Sequence, residues 1–162
     1  MRKEPVGGSR WKRVSITIGV GLFLLALLLS AILVPQLRLL HLFQALIYLA
    51  VIALTRRNSP WGFGIGVIIP VAWNCLNLFV THNFEAGAEQ FWSLVSTGHM
   101  NRSETLTLVV TVGGVAHLLL IVACVAGFVQ LRPRMKEWGQ FFAGGISALA
   151  YFALIVVTTA PR

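Results

Sequence analysis

Aspartate is missing from this chain, and charged side chains of either sign are few. All five acidic residues are glutamates, and charged residues make up 11% of the 162 positions, against about 25% in an average soluble protein. Mechanisms that need an aspartate, such as paired-aspartate proteolysis or an aspartate-bound magnesium in phosphotransfer, are therefore excluded. No glutamate falls inside a long apolar segment, so we also expect no carboxylate within the membrane.

Cysteine is scarce as well. Cys75 and Cys124 lie in different apolar segments and form no Cys-x-x-Cys motif, which excludes thiol exchange and a zinc ribbon. Their expected depths differ by roughly 18 Å, whereas a disulfide needs Cα atoms within about 7 Å of each other. Among the four histidines only His41 and His82 have similar expected depths, so we expect no haem, no metal site and no other cofactor.

Apolar residues dominate what is present. They make up 57% of the chain, against about 45–50% in soluble proteins, and they are grouped into five segments. A hydrocarbon core about 30 Å thick needs about 20 helical residues to cross it, and the five segments approach that length. The sequence therefore predicts one all-α integral membrane domain over residues 1–162, a bundle of five transmembrane helices. The expected spans cover about residues 14–34, 37–54, 61–81, 105–129 and 138–159.

Basic residues predict the orientation of these spans. With the N-terminus in the cytoplasm, ten of the 13 lysines and arginines fall on the inner side and three on the outer side. Those on the inner side are Arg2, Lys3, Arg10, Lys12, Arg13, Arg56, Arg57, Arg132, Arg134 and Lys136. Because positive loops stay inside, we expect a cytoplasmic N-terminus and an outer C-terminus in a plasma membrane, the bacterial inner membrane. The net charge of +8 comes from basic residues in the short segments between the apolar ones, where they set the orientation of the spans. The charge therefore predicts no nucleic-acid partner.

The longest loop, residues 81–104, contains an amphipathic pattern. Its apolar residues recur at the spacing of one helix face, and its polar residues take the opposite face. The apolar positions are Phe84, Ala88, Phe91, Trp92 and Val95. We expect a helix that lies flat on the outer membrane interface or caps the transmembrane helices.

Polar side chains inside the spans form the candidate functional site, because such groups are costly in a bilayer and usually face other helices. Four of the expected spans carry such side chains. Most of these side chains have an expected depth of roughly 3 to 12 Å below the outer boundary, and Tyr48 and His117 lie near the midplane at roughly 16 to 18 Å. The candidates are His41, Gln44, Tyr48, Asn74, Asn77, Thr111, His117 and Tyr151. The first span carries almost no polar residue besides Ser30, so we expect it at the periphery.

Two functions are open for this cluster. The side chains can line a pocket in the outer half of the bundle that binds or carries a small amphipathic or lipophilic solute. They can instead hydrogen-bond between helices, at about 0.6 to 2 kcal/mol each. Because no charged residue anchors a ligand, we favour the second and expect a small accessory or scaffold protein of the lipid bilayer, a subunit or partner of a larger membrane assembly. An enzyme ranks third because no nucleophile with a base is apparent.

Overall fold

The computed structural model describes residues 6–98 and 105–159, and all regular structure in these ranges is helical. Six α-helices and one short 3-10 helix follow one another along the chain. They are α1 (Val6–Leu33), the 3-10 helix (Pro35–Leu37), α2 (Arg38–Arg56), α3 (Pro60–Phe79), α4 (Asn83–Thr97), α5 (Thr105–Gln130) and α6 (Met135–Thr159). The predicted all-α class is confirmed.

Five of these helices, all except α4, are long and apolar enough to cross a membrane. They correspond to the five spans expected from the sequence. The remaining helix, α4, has 15 residues and lies in the segment where the amphipathic pattern predicted a helix. Only 22% to 39% of the most apolar window of each span is fully buried in the protein, and the remaining residues are partly or fully exposed.

Local residue types explain where the helices begin and end. Pro60 occupies the start of α3, where its missing N–H costs nothing. Asn58, with φ of 52°, adopts a left-handed conformation that asparagine tolerates and turns the chain from α2 into α3. The third span was expected to reach residue 81, but α3 ends at Phe79 and His82, with φ of 53°, turns the chain into α4.

Helices that are distant in sequence pack against each other. α1 packs against α5 and α2, α3 packs against α6, α5 and α2, and α4 packs mainly against α5. Glycines allow the closest of these approaches. On Gly64 of α3 a Cβ would collide with the backbone of Phe141, and on Gly144 of α6 it would lie 2.6 Å from the carbonyl oxygen of Trp61. α3 and α6 therefore meet backbone to backbone, as small residues permit in membranes.

The first span was expected at the periphery, and the structure packs one of its faces closely against α5 while its opposite face stays exposed. Val20 and Phe23 of α1 are 0% and 1% exposed, and α1 runs along α5. Gly19 lies so close to α5 that a Cβ there would be 3.2 Å from Cβ of Leu120. Helix association in a bilayer depends on close fit as well as on polar groups, so α1 packs closely against α5 despite its shortage of polar residues.

Candidate polar site in the helix interior

His117 is the centre of a buried polar group. It lies on α5, is 0% exposed, and its ring reaches side chains of two other helices. The hydroxyl oxygen of Tyr48 on α2 lies 2.7 Å from Nε2, and Oδ1 of Asn74 on α3 lies 3.3 Å from Nδ1. The structure thus brings three of the candidate residues into one hydrogen-bonded group.

The chemistry of these groups determines the direction of both hydrogen bonds. An amide oxygen can only accept, so Nδ1 of His117 carries the hydrogen and donates to Asn74. Nε2 is then the acceptor, and the Tyr48 hydroxyl donates to it. Both ring nitrogens of His117 are therefore engaged by the protein itself.

Aromatic rings enclose this imidazole. Phe23 of α1 stacks on it with ring centroids 3.8 Å apart, and Trp73 of α3 meets it edge to face at 4.8 Å. Phe23 also packs against the ring of Tyr48 at 4.4 Å. Neither Phe23 nor Trp73 was predicted from the sequence, because an apolar ring within an apolar span gives no signal of the face it occupies.

A second polar group joins α1 to α2 near the turn between them. His41 contacts Gln44 and Ser30 through its two ring nitrogens, with Nδ1 2.9 Å from Gln44 Oε1 and Nε2 2.8 Å from Ser30 Oγ. Since Gln44 Oε1 only accepts, Nδ1 donates and the Ser30 hydroxyl donates to Nε2. The same turn is held by Arg38, whose Nε donates to the carbonyl of Ala31 at 3.1 Å. His41 and Gln44 are thus placed together but apart from His117.

A third group lies where α3 meets α4. The amide nitrogen of Asn77 donates to the carbonyl of Trp73 at 2.9 Å, and its oxygen accepts from Nδ2 of Asn83 at 2.9 Å. Asn83 also donates to the Thr81 hydroxyl at 2.8 Å. Asn77 therefore caps the α3–α4 turn. Asn83 was not predicted, because its role depends on the turn at His82.

Two candidate residues join none of these groups. Thr111 donates to the carbonyl of Thr107 in its own helix at 2.9 Å and packs against Gly87 of α4. Tyr151 is partly buried on α6, and no hydrogen bond joins it to the described residues. The eight candidates therefore divide into the His117 group of three, the His41–Gln44 pair, Asn77 at the α3–α4 turn, and Thr111 and Tyr151 apart from these.

The buried polar atoms of the described ranges are all satisfied. No fully buried side-chain nitrogen or oxygen among these residues lacks a hydrogen-bond partner. Two surface pockets lie beside Asn58, at the opposite end of α3 from Asn77. The larger has a volume of about 220 Å³, and neither pocket is lined by a candidate residue.

The chain matches no protein-family model, no curated protein and no solved structure.

Proposed function

We propose that this chain is a small non-enzymatic integral membrane protein, an accessory or scaffold subunit of a larger membrane assembly. The observation that carries the proposal is the group around His117, in which both ring nitrogens have protein partners and Phe23 and Trp73 cover the ring. A solute site needs polar atoms that are free to contact the ligand. Here those atoms contact one another, as structural hydrogen bonds between membrane helices do.

The five spans form one bundle in this proposal. Contacts between helices far apart in sequence support it, since α1 packs along α5 and α3 packs along α6. The Tyr48–His117 and Ser30–His41 hydrogen bonds add links between α2 and α5 and between α1 and α2. An interior of this kind gives a rigid body whose outward apolar faces are available to lipid and to other membrane subunits.

The N-terminus faces the cytoplasm and the C-terminus the outside of the plasma membrane in this proposal. Three chain segments lie together at one end of the helices, because the start of α1, the α2–α3 turn and the α5–α6 turn line the two pockets beside Asn58. Their charge supports this orientation. These segments carry most of the basic residues: Arg10, Lys12, Arg13, Arg56, Arg57, Arg132, Arg134 and Lys136. Arg38 lies at the opposite ends of the spans, beside the α1–α2 turn. An end so rich in positive charge is typical of the cytoplasmic side.

Helix α4 lies at the outer interface in this proposal, and the exposure of its apolar face supports this position. Phe91, Trp92 and Val95 are 56%, 71% and 63% exposed. Gly87, roughly a quarter turn away, packs against Thr111 of α5. The helix thus contacts the protein through Phe84 and Gly87 and keeps Phe91 and Trp92 for the bilayer surface, where tryptophan is enriched.

Photo-crosslinking in native membranes tests the subunit proposal. A photoreactive side chain is placed at one exposed position on each of four spans, and a matched control is placed at buried Ala123. The exposed positions are Leu46, Val71, Val115 and Val157. We expect at least one of them to crosslink to a single membrane protein that also copurifies at constant stoichiometry after mild extraction, and the control to crosslink only within the chain. Lipid adducts alone at all four positions, with a chain that is monomeric after extraction, would contradict the proposal.

A further inference from the structure

A positively charged crevice opens beside Asn58. It is formed by the N-terminal part of α1, the end of α2 and the start of α3, and its lining includes Lys12, Arg13, Thr55, Arg56 and Phe63. Three of its side chains are cationic, and no acidic residue is among the described residues that line it. The Thr55 hydroxyl already donates to the carbonyl of Val51 at 2.7 Å, so its hydrogen is engaged within α2.

Lys12 differs from the other lysines and arginines whose exposure the structure describes, because it is only 7% exposed and they are all exposed. Its stem passes over Gly127 of α5, where a Cβ would lie 3.5 Å from Lys12 Cδ. Within the described ranges no hydrogen bond or ion pair joins Lys12 to another residue. Since no fully covered nitrogen there is unpartnered, the ammonium group opens into the crevice. Lysine commonly buries its stem and directs its charge to such a polar edge.

An unpaired cation in a mostly apolar wall is unfavourable unless an anion approaches it. Arg13 and Arg56 add charge of the same sign, which increases the demand for a counterion. Glu137 at the same end of the helices lines the other pocket, and its carboxylate accepts a hydrogen bond from the Arg134 N–H at the start of α6. The described part of the chain therefore supplies no counterion to Lys12, and an anion from outside fits this position.

We infer that this crevice binds a phosphate group, carried either by an anionic phospholipid of the adjacent leaflet or by a soluble phosphate compound. Lysine offers a point charge and arginine a fork of donors, and both are common phosphate ligands. The enclosed space is about 10 Å³, room for about one water, so the phosphate binds at the mouth, above Lys12 and between the exposed Arg13 and Arg56.

The position of the crevice favours the lipid as the source. The first span begins at Arg10 and the second ends at Arg56, so these cations lie at the level of the membrane surface. Basic pockets between helices at this level are typical binding sites for lipid headgroups. Arg57 is exposed but does not line the crevice, which makes it a matched control for charge alone. The inference concerns the opposite end of α3 from the Asn77 group and does not depend on the proposed function.

Lipid binding to the full-length protein in neutral detergent tests the inference. Native mass spectrometry measures the dissociation constants of short-chain phosphatidylglycerol and phosphatidylcholine for the wild type and for Lys12→Gln, Arg56→Gln and Arg57→Gln. We expect phosphatidylglycerol to bind more tightly than phosphatidylcholine. Lys12→Gln and Arg56→Gln should each weaken phosphatidylglycerol binding about fivefold, the factor for about 1 kcal/mol per cation near an anionic surface. Arg57→Gln should leave the dissociation constant within about twofold of wild type.

A competition with inorganic phosphate distinguishes the two sources. If millimolar phosphate displaces phosphatidylglycerol from the wild type but not from Lys12→Gln, the site takes soluble phosphate as well; failure to displace it assigns the site to the lipid. Equal binding of both lipids without any effect of phosphate would overturn the inference. An equal loss in Arg57→Gln would also overturn it, because binding would then be diffuse. Each variant is first checked for a single size-exclusion peak and unchanged helix content, and Arg13→Gln replaces Lys12→Gln if the latter fails this check.

Discussion

The Tyr48 hydroxyl and Nε2 of His117 are 2.7 Å apart although 69 positions separate the two residues in the chain. In the described part of the chain no Cα atom of α2 lies within 8 Å of one in α5, so this hydrogen bond links two helices whose backbones are apart. Phe23 of α1 and Trp73 of α3 flank the imidazole at the crossing point. Four helices therefore meet at one imidazole ring.

Removal of the Tyr48 hydroxyl should destabilise the protein. Tyr48→Phe leaves Nε2 of His117 without its donor, so we expect the free energy of unfolding in detergent to fall by about 0.6 to 2 kcal/mol. Tyr151→Phe is the matched control, because no hydrogen bond joins Tyr151 to the described residues. Thermal and denaturant unfolding followed by circular dichroism measure both variants. A Tyr48→Phe protein as stable as the control would favour the solute pocket over the structural role.

The α3–α6 contact should not tolerate a methyl group. In Gly144→Ala the new Cβ would lie 2.6 Å from the carbonyl oxygen of Trp61, so the helices must separate and the melting temperature should fall. Gly139 lies on the same helix, and a Cβ there would have no neighbour within 4 Å. Gly139→Ala should therefore keep or raise the melting temperature through better helix propensity. Equal melting temperatures for the two variants would show that α3 and α6 do not approach so closely.

The aromatic face of α4 should bind the membrane surface. Phe91→Asp replaces an exposed ring by a charge, so we expect the α4 segment to leave the interface at a cost of about 1 to 3 kcal/mol. Ser96→Asp adds the same charge on the polar face and serves as the control. Limited proteolysis of the loop in lipid vesicles should be faster for Phe91→Asp alone. An unchanged rate would indicate that this face does not touch the bilayer.

Labelling from outside the cell should report the orientation. In a background with Cys75 and Cys124 replaced by alanine, a cysteine introduced as Ser96→Cys should react with an impermeant maleimide in intact cells. One introduced as Arg57→Cys should react only after the membrane is permeabilised. Both expectations follow from the concentration of basic residues beside the α2–α3 and α5–α6 turns. The reverse pattern would place the N-terminus outside.

Much of the local structure followed from the sequence. Segment length and apolar content predicted the five long helices, and the period of Phe84, Phe91 and Val95 predicted α4. Pro60 lies at the first position of α3, which proline favours because its missing N–H has no partner to lose there. These features depend on residues within one or two turns of each other, which is the range over which helix formation and termination act.

The sequence by itself determined the helical class, the spans and the small set of polar side chains that had to find partners. Only the tertiary structure decided which of them met, joining His117 to Tyr48 and Asn74 but His41 to Ser30. It also packed one face of α1 along α5. Helical periodicity relates a residue to its own helix alone, whereas the choice of neighbouring helices depends on close fits such as that of Gly64 against the Phe141 backbone, which no single segment encodes.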